Sequence, residues 1–112
     1  MEITTRTVGK CKILDCKGKL ILGQPTATLR ETIRDVVENG ASRVVLNLGE
    51  VTYIDSSGIG EMISSYVHVK NAGGNMPLLN LHEKFHRLLI IAKLLAIFDV
   101  FDDEQKALEG CE

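Results

Sequence analysis

The most constraining feature of the sequence is a nearly continuous apolar run, residues 44–48, that lies between two segments with helical periodicity. Before the run, Leu29, Ile33 and Val36 recur at i, i+4 and i+7, which places them on one face of a helix. After the run, the apolar residues between positions 59 and 67 recur at i, i+3, i+4, i+7 and i+8. A strand without polar alternation is typical of a sheet covered on both faces. The order helix, buried strand, helix therefore predicts an α/β domain.

The segment before the first helix, residues 8–22, mixes short apolar stretches with lysine and glycine. Turn residues at positions 9–10 and 17–18 predict edge strands joined by tight turns. The helix itself is expected to begin with a Thr/Glu capping box at residues 28–31 and to end at the Asn-Gly pair of residues 39–40.

The chain after the second helix alternates short strands and helices. Strands are predicted over residues 77–81 and 97–101, with an amphipathic helix between them. A short final helix is expected after the acidic residues 102–104, whose charges suit a helix N-terminus. The whole order predicts one domain over residues 1–112, in which a small mixed sheet of four or five strands packs against about four helices.

Charge and cysteine content exclude several classes of protein. The 112 residues carry 13 Lys+Arg and 15 Asp+Glu, which gives no electrostatic footprint for direct binding of nucleic acid or of an anionic membrane. No apolar run is long enough to cross a bilayer. Cys11, Cys16 and Cys111 are odd in number and form no C-x-x-C pair, so we expect reduced thiols in a cytoplasmic protein.

One loop, residues 55–60 with the sequence Asp-Ser-Ser-Gly-Ile-Gly, joins a predicted strand to the second helix. Turns of this kind at the carboxyl edge of an open sheet are where α/β folds place binding sites, and a helix N-terminus attracts anions. A plain N-cap role for Asp55, Ser56 or Ser57 is the alternative. The nucleophile elbow, the dinucleotide fingerprint and the Walker A motif are all absent, so the sequence predicts no catalytic residue and no nucleotide cofactor here.

Two neighbouring features bear on what this loop contacts. Gly58 and Gly60 are unfavourable at a helix start, which predicts that a partner or a nucleotide approaches the backbone closely there. Tyr53, just before the loop, is expected to pack under the second helix.

A second motif, His82-Glu-Lys-Phe-His86, matches the His-Glu-x-x-His pattern of zinc proteases, with Glu104 as a conceivable third ligand. His82 falls where a strand should end, so the two histidines are not expected on one helix as the pattern requires. The expected role is that of partly exposed polar positions, and no metal site is predicted.

The residues around the loop resemble a known family. The segments 45–48 and 51–60 are similar to the signature of STAS domains, specifically bacterial anti-sigma factor antagonists. The likeness continues through residues 73–74, 78–81 and 98–101 to residues 107–108, so it covers roughly residues 9–108.

The resemblance implies a switch rather than an enzyme. In that family the serine matching Ser57 is phosphorylated by an anti-sigma factor that is itself a serine kinase using ATP and Mg²⁺. The unphosphorylated antagonist binds this kinase in the presence of ADP and releases the sigma factor, and a metal-dependent Ser/Thr phosphatase restores it. The resemblance implies a partner-binding surface made of Asp55, Ser56, Ser57, Gly58, Ile59, Gly60 and Met62, although Met62 also lies on the apolar stripe and could be wholly core.

The chain departs from the family pattern at one position. Ile21 stands where many members carry an aspartate that contributes to the partner site. Two other readings therefore stay open. One is a STAS scaffold subunit of a signalling or lipid-transport assembly that is never phosphorylated. The other is a small hydrolase or nucleotide-binding enzyme that uses Ser57.

Overall fold

A computed structural model describes residues 1–111, and Glu112 of the predicted domain lies outside the described residues. The expected α/β architecture is confirmed, with five strands and four helices within residues 1–111. The strands are β1 (Glu2–Val8), β2 (Cys11–Leu20), β3 (Arg43–Ile54), β4 (Leu78–Leu79) and β5 (Val100–Phe101). The helices are α1 (Gln24–Glu38), α2 (Ser56–Asn71), α3 (Glu83–Ile91) and α4 (Glu104–Ala107), with a 3₁₀ turn at Leu95–Ile97.

The sheet is mixed, and its strands follow the chain order from β1 to β5. β1 and β2 form an antiparallel hairpin, whereas β2, β3, β4 and β5 run parallel to one another. The parallel pairing of β2 with β3 places Leu20 beside Ile54. The two strands therefore end together, and the loops that follow them share one edge of the sheet.

The two faces of the sheet are covered differently. Helices α1, α2 and α3 pack on one face, where the main apolar core includes Leu14, Leu46 and Leu78. On the other face, Ala107 of α4 packs with Ile13 and other strand residues in a much smaller apolar cluster. Alternate residues of each strand contribute to the two layers because successive strand side chains point to opposite faces.

Most of the apolar stripe predicted for α2 faces the core. Met62 is buried and Ile59, Ile63 and Tyr66 pack against the core half-buried, whereas Val67 is exposed. The buried Gly58 lies at the start of the helix, where its lack of a side chain allows the helix to approach the end of β2 closely.

The start of α1 corrects one local prediction and its end confirms another. The capping box predicted at residues 28–31 is wrong, because the helix begins one turn earlier, with Gly23 at the N-cap and Pro25 in the first turn. The predicted stop is confirmed: the chain leaves the helix through Asn39, and Gly40 has a φ of 91°.

Several strand predictions also change. The turn predicted at residues 9–10 is confirmed, but residues 17–18 lie inside β2, where the register with β3 is irregular. β3 extends well beyond residues 44–48, whereas the strands predicted over residues 77–81 and 97–101 shrink to two residues each. The final helix forms where expected, and the Asp103 carboxylate accepts a hydrogen bond from the backbone N–H of Gln105.

The prediction of three reduced thiols is wrong for two of them. Cys11 and Cys111 form a disulfide, with 5.5 Å between their Cα atoms. The two residues are 100 positions apart, and the fold brings the start of β2 next to the chain that follows α4. Cys16 remains free and buried, and burial raises the pKa of its thiol to about 12.

Candidate functional site at the start of α2

The loop that the sequence singles out lies where β2 and β3 end, and Asp55 ties its parts together. The backbone N–H of Asp55 donates to the Leu20 carbonyl oxygen at 3.2 Å. Its carboxylate accepts two further hydrogen bonds, from the N–H of Gly58 at 2.8 Å and from the N–H of Leu22 at 3.1 Å. Asp55 is therefore the N-cap of α2 and also anchors the chain that leaves β2.

The same contacts set the charge of Asp55. The N–H groups of Gly58 and Leu22 bind the ionised carboxylate and lower the pKa of Asp55 below its ordinary value. The site therefore holds a fixed negative charge at neutral pH, within a turn that is already fully organised.

Gly58 is required by the packing of the turn. A Cβ added at this position would clash with the backbone oxygen of Leu20 and lie 2.9 Å from the Leu20 Cγ atom. Gly58 therefore allows β2 to lie close to α2. The prediction that a partner or a nucleotide approaches the backbone at this glycine is wrong.

Gly60 lies in a different environment. It is exposed, and a Cβ added there would meet nothing within 4 Å among the residues that the structure describes. The fold itself does not require a glycine here. Gly60 leaves a patch of bare helix backbone open to solvent, one turn from Ser57.

The two serines of the loop lie in the first turn of α2. Ser56 is exposed and Ser57 is half-buried. Within residues 1–111, neither hydroxyl makes a side-chain hydrogen bond, because Asp55 supplies the cap. Both hydroxyls are therefore free to take part in a contact or a reaction.

Two further residues of the expected surface are turned inward. Met62 is 1% exposed and lies in the core rather than on the partner-binding surface. Ile59 is half-buried and packs against the same core. The accessible part of the predicted surface is the backbone and side chains of residues 55–57 together with Gly60.

Glu61, the next acidic residue of α2, is turned away from solvent. It is 7% exposed, and Oε1 accepts hydrogen bonds from Arg30 Nε at 3.1 Å and Nη2 at 2.7 Å. Arg30 belongs to α1, so this ion pair joins the two helices beside the site. Glu61 is neutralised within the fold and does not face outward.

Two exposed apolar side chains flank the turn, and the sequence did not single them out as part of the site. Leu22 is 73% exposed and its N–H is bonded to the Asp55 carboxylate. Tyr53 is 52% exposed, so the prediction that it packs under the helix is wrong. The signal that could have found Leu22 is the parallel pairing of β2 with β3, which brings the residues after β2 next to the loop.

The two histidines of the zinc-protease pattern do not lie within one helix. His82 is the N-cap residue of α3 and lies 3.0 Å from the Gly49 carbonyl oxygen through Nε2, so it is outside the helix that carries His86. Within residues 1–111, no group of three or more His, Cys, Asp or Glu side chains is placed to hold a metal ion. Over the same residues, no helix has the length and apolar character needed to span a membrane.

Known proteins share the family and the fold of this chain. The family model of the STAS domain matches residues 2–107. The chain belongs to the STAS-domain family. An anti-sigma-B factor antagonist of Bacillus subtilis is 38% identical over 72 residues, which are 64% of this chain and 65% of that protein. The chain spans 59 to 65% of the length of the curated relatives that it matches first.

Two solved structures superpose closely on this chain. A Thermotoga maritima protein, described as a candidate anti-sigma factor antagonist, has a TM-score of 0.87 at 23% identity, over 97% of this STAS domain and 93% of that chain. The Bacillus cell fate determinant SpoIIAA in its phosphorylated form has a TM-score of 0.75 at 18% identity, over 96% and 97% of the two chains. At these identities the superpositions establish the fold alone.

Proposed function

We propose that this STAS domain is an anti-sigma factor antagonist whose partner binding is switched off by phosphorylation of Ser57. The observation that carries the proposal is the first turn of α2. A free, half-buried serine hydroxyl lies there beside bare backbone at Gly60, in a loop that Asp55 holds rigid. The names of the relatives support the function, and SpoIIAA, with the same fold, is known in phosphorylated and unphosphorylated forms.

The unphosphorylated surface suits a protein partner. Leu22 and Tyr53 offer exposed apolar area on either side of the turn, and aromatic residues are enriched where protein interfaces are buried. Gly60 allows the partner to approach the helix backbone. We infer that the partner contacts Leu22, Tyr53, Gly60 and the two serines together, with Ile59 and Met62 supporting the surface from the core.

A phosphate on Ser57 would change this surface without disturbing the fold. It adds about −1.5 to −2 charges at neutral pH. The positive end of α2 favours negative charge, so the domain tolerates the group. The partner meets the added bulk and charge next to the ionised Asp55, and the close approach at Gly60 is lost.

The partners follow from this role. The proposed binding partner is an anti-sigma factor serine kinase, which uses ATP and Mg²⁺ to phosphorylate Ser57 and binds the unphosphorylated domain with ADP. A metal-dependent Ser/Thr phosphatase would reverse the modification. The domain itself is a substrate in both reactions and contributes no catalytic group.

The second reading, a STAS scaffold that is never phosphorylated, is favoured by one observation. Ile21 occupies the position of an aspartate in many family members, and it lies half-buried between β2 and α1, next to the exposed Leu22. An apolar pair at this position suits a permanent interface better than a reversible one, since permanent interfaces are more hydrophobic.

Affinity capture with four forms of the chain separates the two readings. The baits are the wild type, Ser57→Ala, Ser57→Asp and the matched control Ser64→Asp, which adds the same charge at an exposed position of the same helix. Capture uses lysate of the encoding organism with Mg²⁺ and ADP, followed by mass spectrometry. The proposal predicts that every bait except Ser57→Asp recovers a kinase-like anti-sigma factor.

Two outcomes would contradict the switch. Equal recovery of the kinase by Ser57→Asp and by the wild type would show that a charge at Ser57 does not control binding. Recovery of the same transporter or scaffold subunits by all four baits would instead support the permanent assembly.

A further inference from the structure

The clearest feature that the proposed function leaves unused is the attachment of α4 to the second face of the sheet. The Cys11–Cys111 disulfide ties the residues after α4 to the first residue of β2. Beneath the helix, Ile13, Val45 and Leu79 are each 0% exposed, and Ala107 of α4 completes this cluster. The helix and the disulfide together therefore seal an apolar patch on a face that is otherwise polar.

Few other contacts hold α4 in place. A helix of four residues is far too short to be stable by itself. Arg43 Nε donates to the Ala107 carbonyl oxygen at 2.8 Å, and Arg6 Nη2 lies 2.6 Å from Glu104 Oε1. The second contact is an exposed ion pair, which contributes little in water. The covalent link thus carries a large part of the attachment.

We propose that Cys11 and Cys111 form a redox-cleavable clasp, and that its reduction releases α4 and uncovers the apolar patch of Ile13, Val45 and Leu79. The reductant is a dithiol. One of its thiolates attacks a sulfur of the disulfide, forms a mixed disulfide and releases the other cysteine as a thiol. Its second thiolate then displaces the remaining cysteine, so the reductant becomes a disulfide and the clasp becomes two thiols.

The third cysteine does not interfere with this pair. Cys16 lies on β2, but its side chain belongs to the core under α1, α2 and α3, on the opposite face from Ile13. Its thiol is buried and its pKa is raised to about 12, so it holds almost no thiolate at neutral pH. Cys11 and Cys111 are also buried, each 3% exposed, so the dithiol reaches them when the residues after α4 open locally, and reduction then prevents reclosure of the clasp.

The clasp is remote from the site proposed for partner binding. Cys11 begins β2 and Leu20 ends it, which separates the clasp from the Asp55 turn by about 30 Å along the strand. The inference does not rest on phosphorylation of Ser57. Reduction is expected to change the second face of the sheet and to leave the start of α2 as it is.

Hydrogen exchange followed by mass spectrometry tests the clasp on the full chain. Five samples are compared: the oxidised protein, the same protein treated with dithiothreitol, and the variants Cys11→Ser, Cys111→Ser and Cys16→Ala. The amides of Ala107, Leu108 and Cys111 are all hydrogen-bonded in the closed form, so they report the state of α4 directly. Binding of the dye ANS reports the uncovered patch.

Reduction and both clasp variants are expected to speed exchange across residues 103–111 at least tenfold and to raise ANS fluorescence, while residues 44–48 of β3 stay protected. Cys16→Ala is expected to match the oxidised wild type, and reoxidation is expected to restore protection. Unchanged exchange at residues 103–111 after reduction would overturn the clasp. So would loss of protection throughout the chain, because the disulfide would then support the whole fold rather than α4.

Discussion

The two faces of the sheet are stabilised by different kinds of contact. The face under α1, α2 and α3 rests on one large apolar core that contains Leu46 and Leu78. The α4 face joins a small apolar cluster to a polar network in which Arg6 binds Asp15 and Asp15 accepts a hydrogen bond from Asn47. Apolar burial is insensitive to pH and to thiol reagents, whereas ion pairs respond to pH and disulfides respond to thiol reagents. The first face is therefore the rigid one, and the second face is the one that responds to its surroundings.

Leu78 and Leu79 give the sharpest test of this difference. They are adjacent, both 0% exposed, and belong to opposite faces. Truncating a buried leucine to alanine costs about 3–5 kcal/mol where the surroundings cannot relax and nearer to 2 kcal/mol where they can. We expect Leu78→Ala to lower the free energy of unfolding by more than Leu79→Ala does, in urea titrations of the oxidised protein. The reverse order would mean that the small cluster is as tightly packed as the main core.

Gly58 and Gly60 make a second matched pair, on α2 itself. Gly58→Ala is expected to lower the free energy of unfolding by about 1–3 kcal/mol, because the new methyl group meets the rigid backbone oxygen of Leu20. The methyl group of Gly60→Ala points into open space, so this variant is expected to raise the free energy of unfolding by up to about 1 kcal/mol, because alanine has the higher helix propensity.

The same pair distinguishes stability from binding. If the partner approaches the helix at Gly60, Gly60→Ala weakens capture of the anti-sigma factor although the domain becomes more stable. Thermal melts and capture on the same preparations check both effects. A Gly60→Ala variant that is more stable and binds normally would remove Gly60 from the interface.

The pH dependence of the α4 face follows from Asp15. The hydrogen bonds from Arg6 and Asn47 lower the pKa of Asp15 below its ordinary value. The ionised Asp15 therefore stabilises the folded state. This stabilisation is complete above the pKa of an unfolded aspartate, about 3.9, and is lost as the pH falls through the lower pKa of the folded state.

Asp15→Asn should remove that part of the acid sensitivity. The difference in the free energy of unfolding between pH 6 and pH 3 should be smaller in this variant than in the wild type. Because Arg6 is well exposed, we expect the two differences to deviate by less than about 1 kcal/mol. Asp102→Asn, at an exposed position, serves as the control. An equal change in both variants would show that general charge repulsion, and not the Arg6–Asp15 pair, sets the acid dependence.

Ser57→Asp is expected to have the smallest effect on stability. A negative charge in the first turn of a helix stabilises it by about 0.3–1 kcal/mol, so the melting temperature should stay level or rise slightly. A marked fall would mean that Ser57 supports the fold, and the effect of a charge there on binding would then have to be separated from unfolding.

Much of the fold could be predicted because its signals are local. The helix stop at Gly40 and the start of a short helix after the acidic residues 102–104 each depend on neighbouring residues, and both were predicted. What could not be predicted depends on tertiary packing. The exposure of Val67, which belongs to the apolar stripe of α2, depends on how that helix packs, and the Cys11–Cys111 bridge depends on the order of all five strands.

The candidate site shows the same division. The turn from Asp55 to Gly60 could be found from its sequence, since the cap and the glycines lie within six positions. Leu22 and Tyr53 could not, because their exposure depends on how β2 and β3 end beside each other. The pairing of Glu61 could not be predicted either, because its partner Arg30 comes from another helix.

The most direct test of the central claim is the affinity of the anti-sigma factor for two homogeneous preparations of this chain, one with phosphoserine incorporated at position 57 and one unmodified. Incorporation during synthesis makes the result independent of any kinase. The account predicts that phosphorylation weakens binding at least tenfold, equivalent to about 1.4 kcal/mol, with an unchanged circular dichroism spectrum. Equal affinities for the two preparations would contradict it.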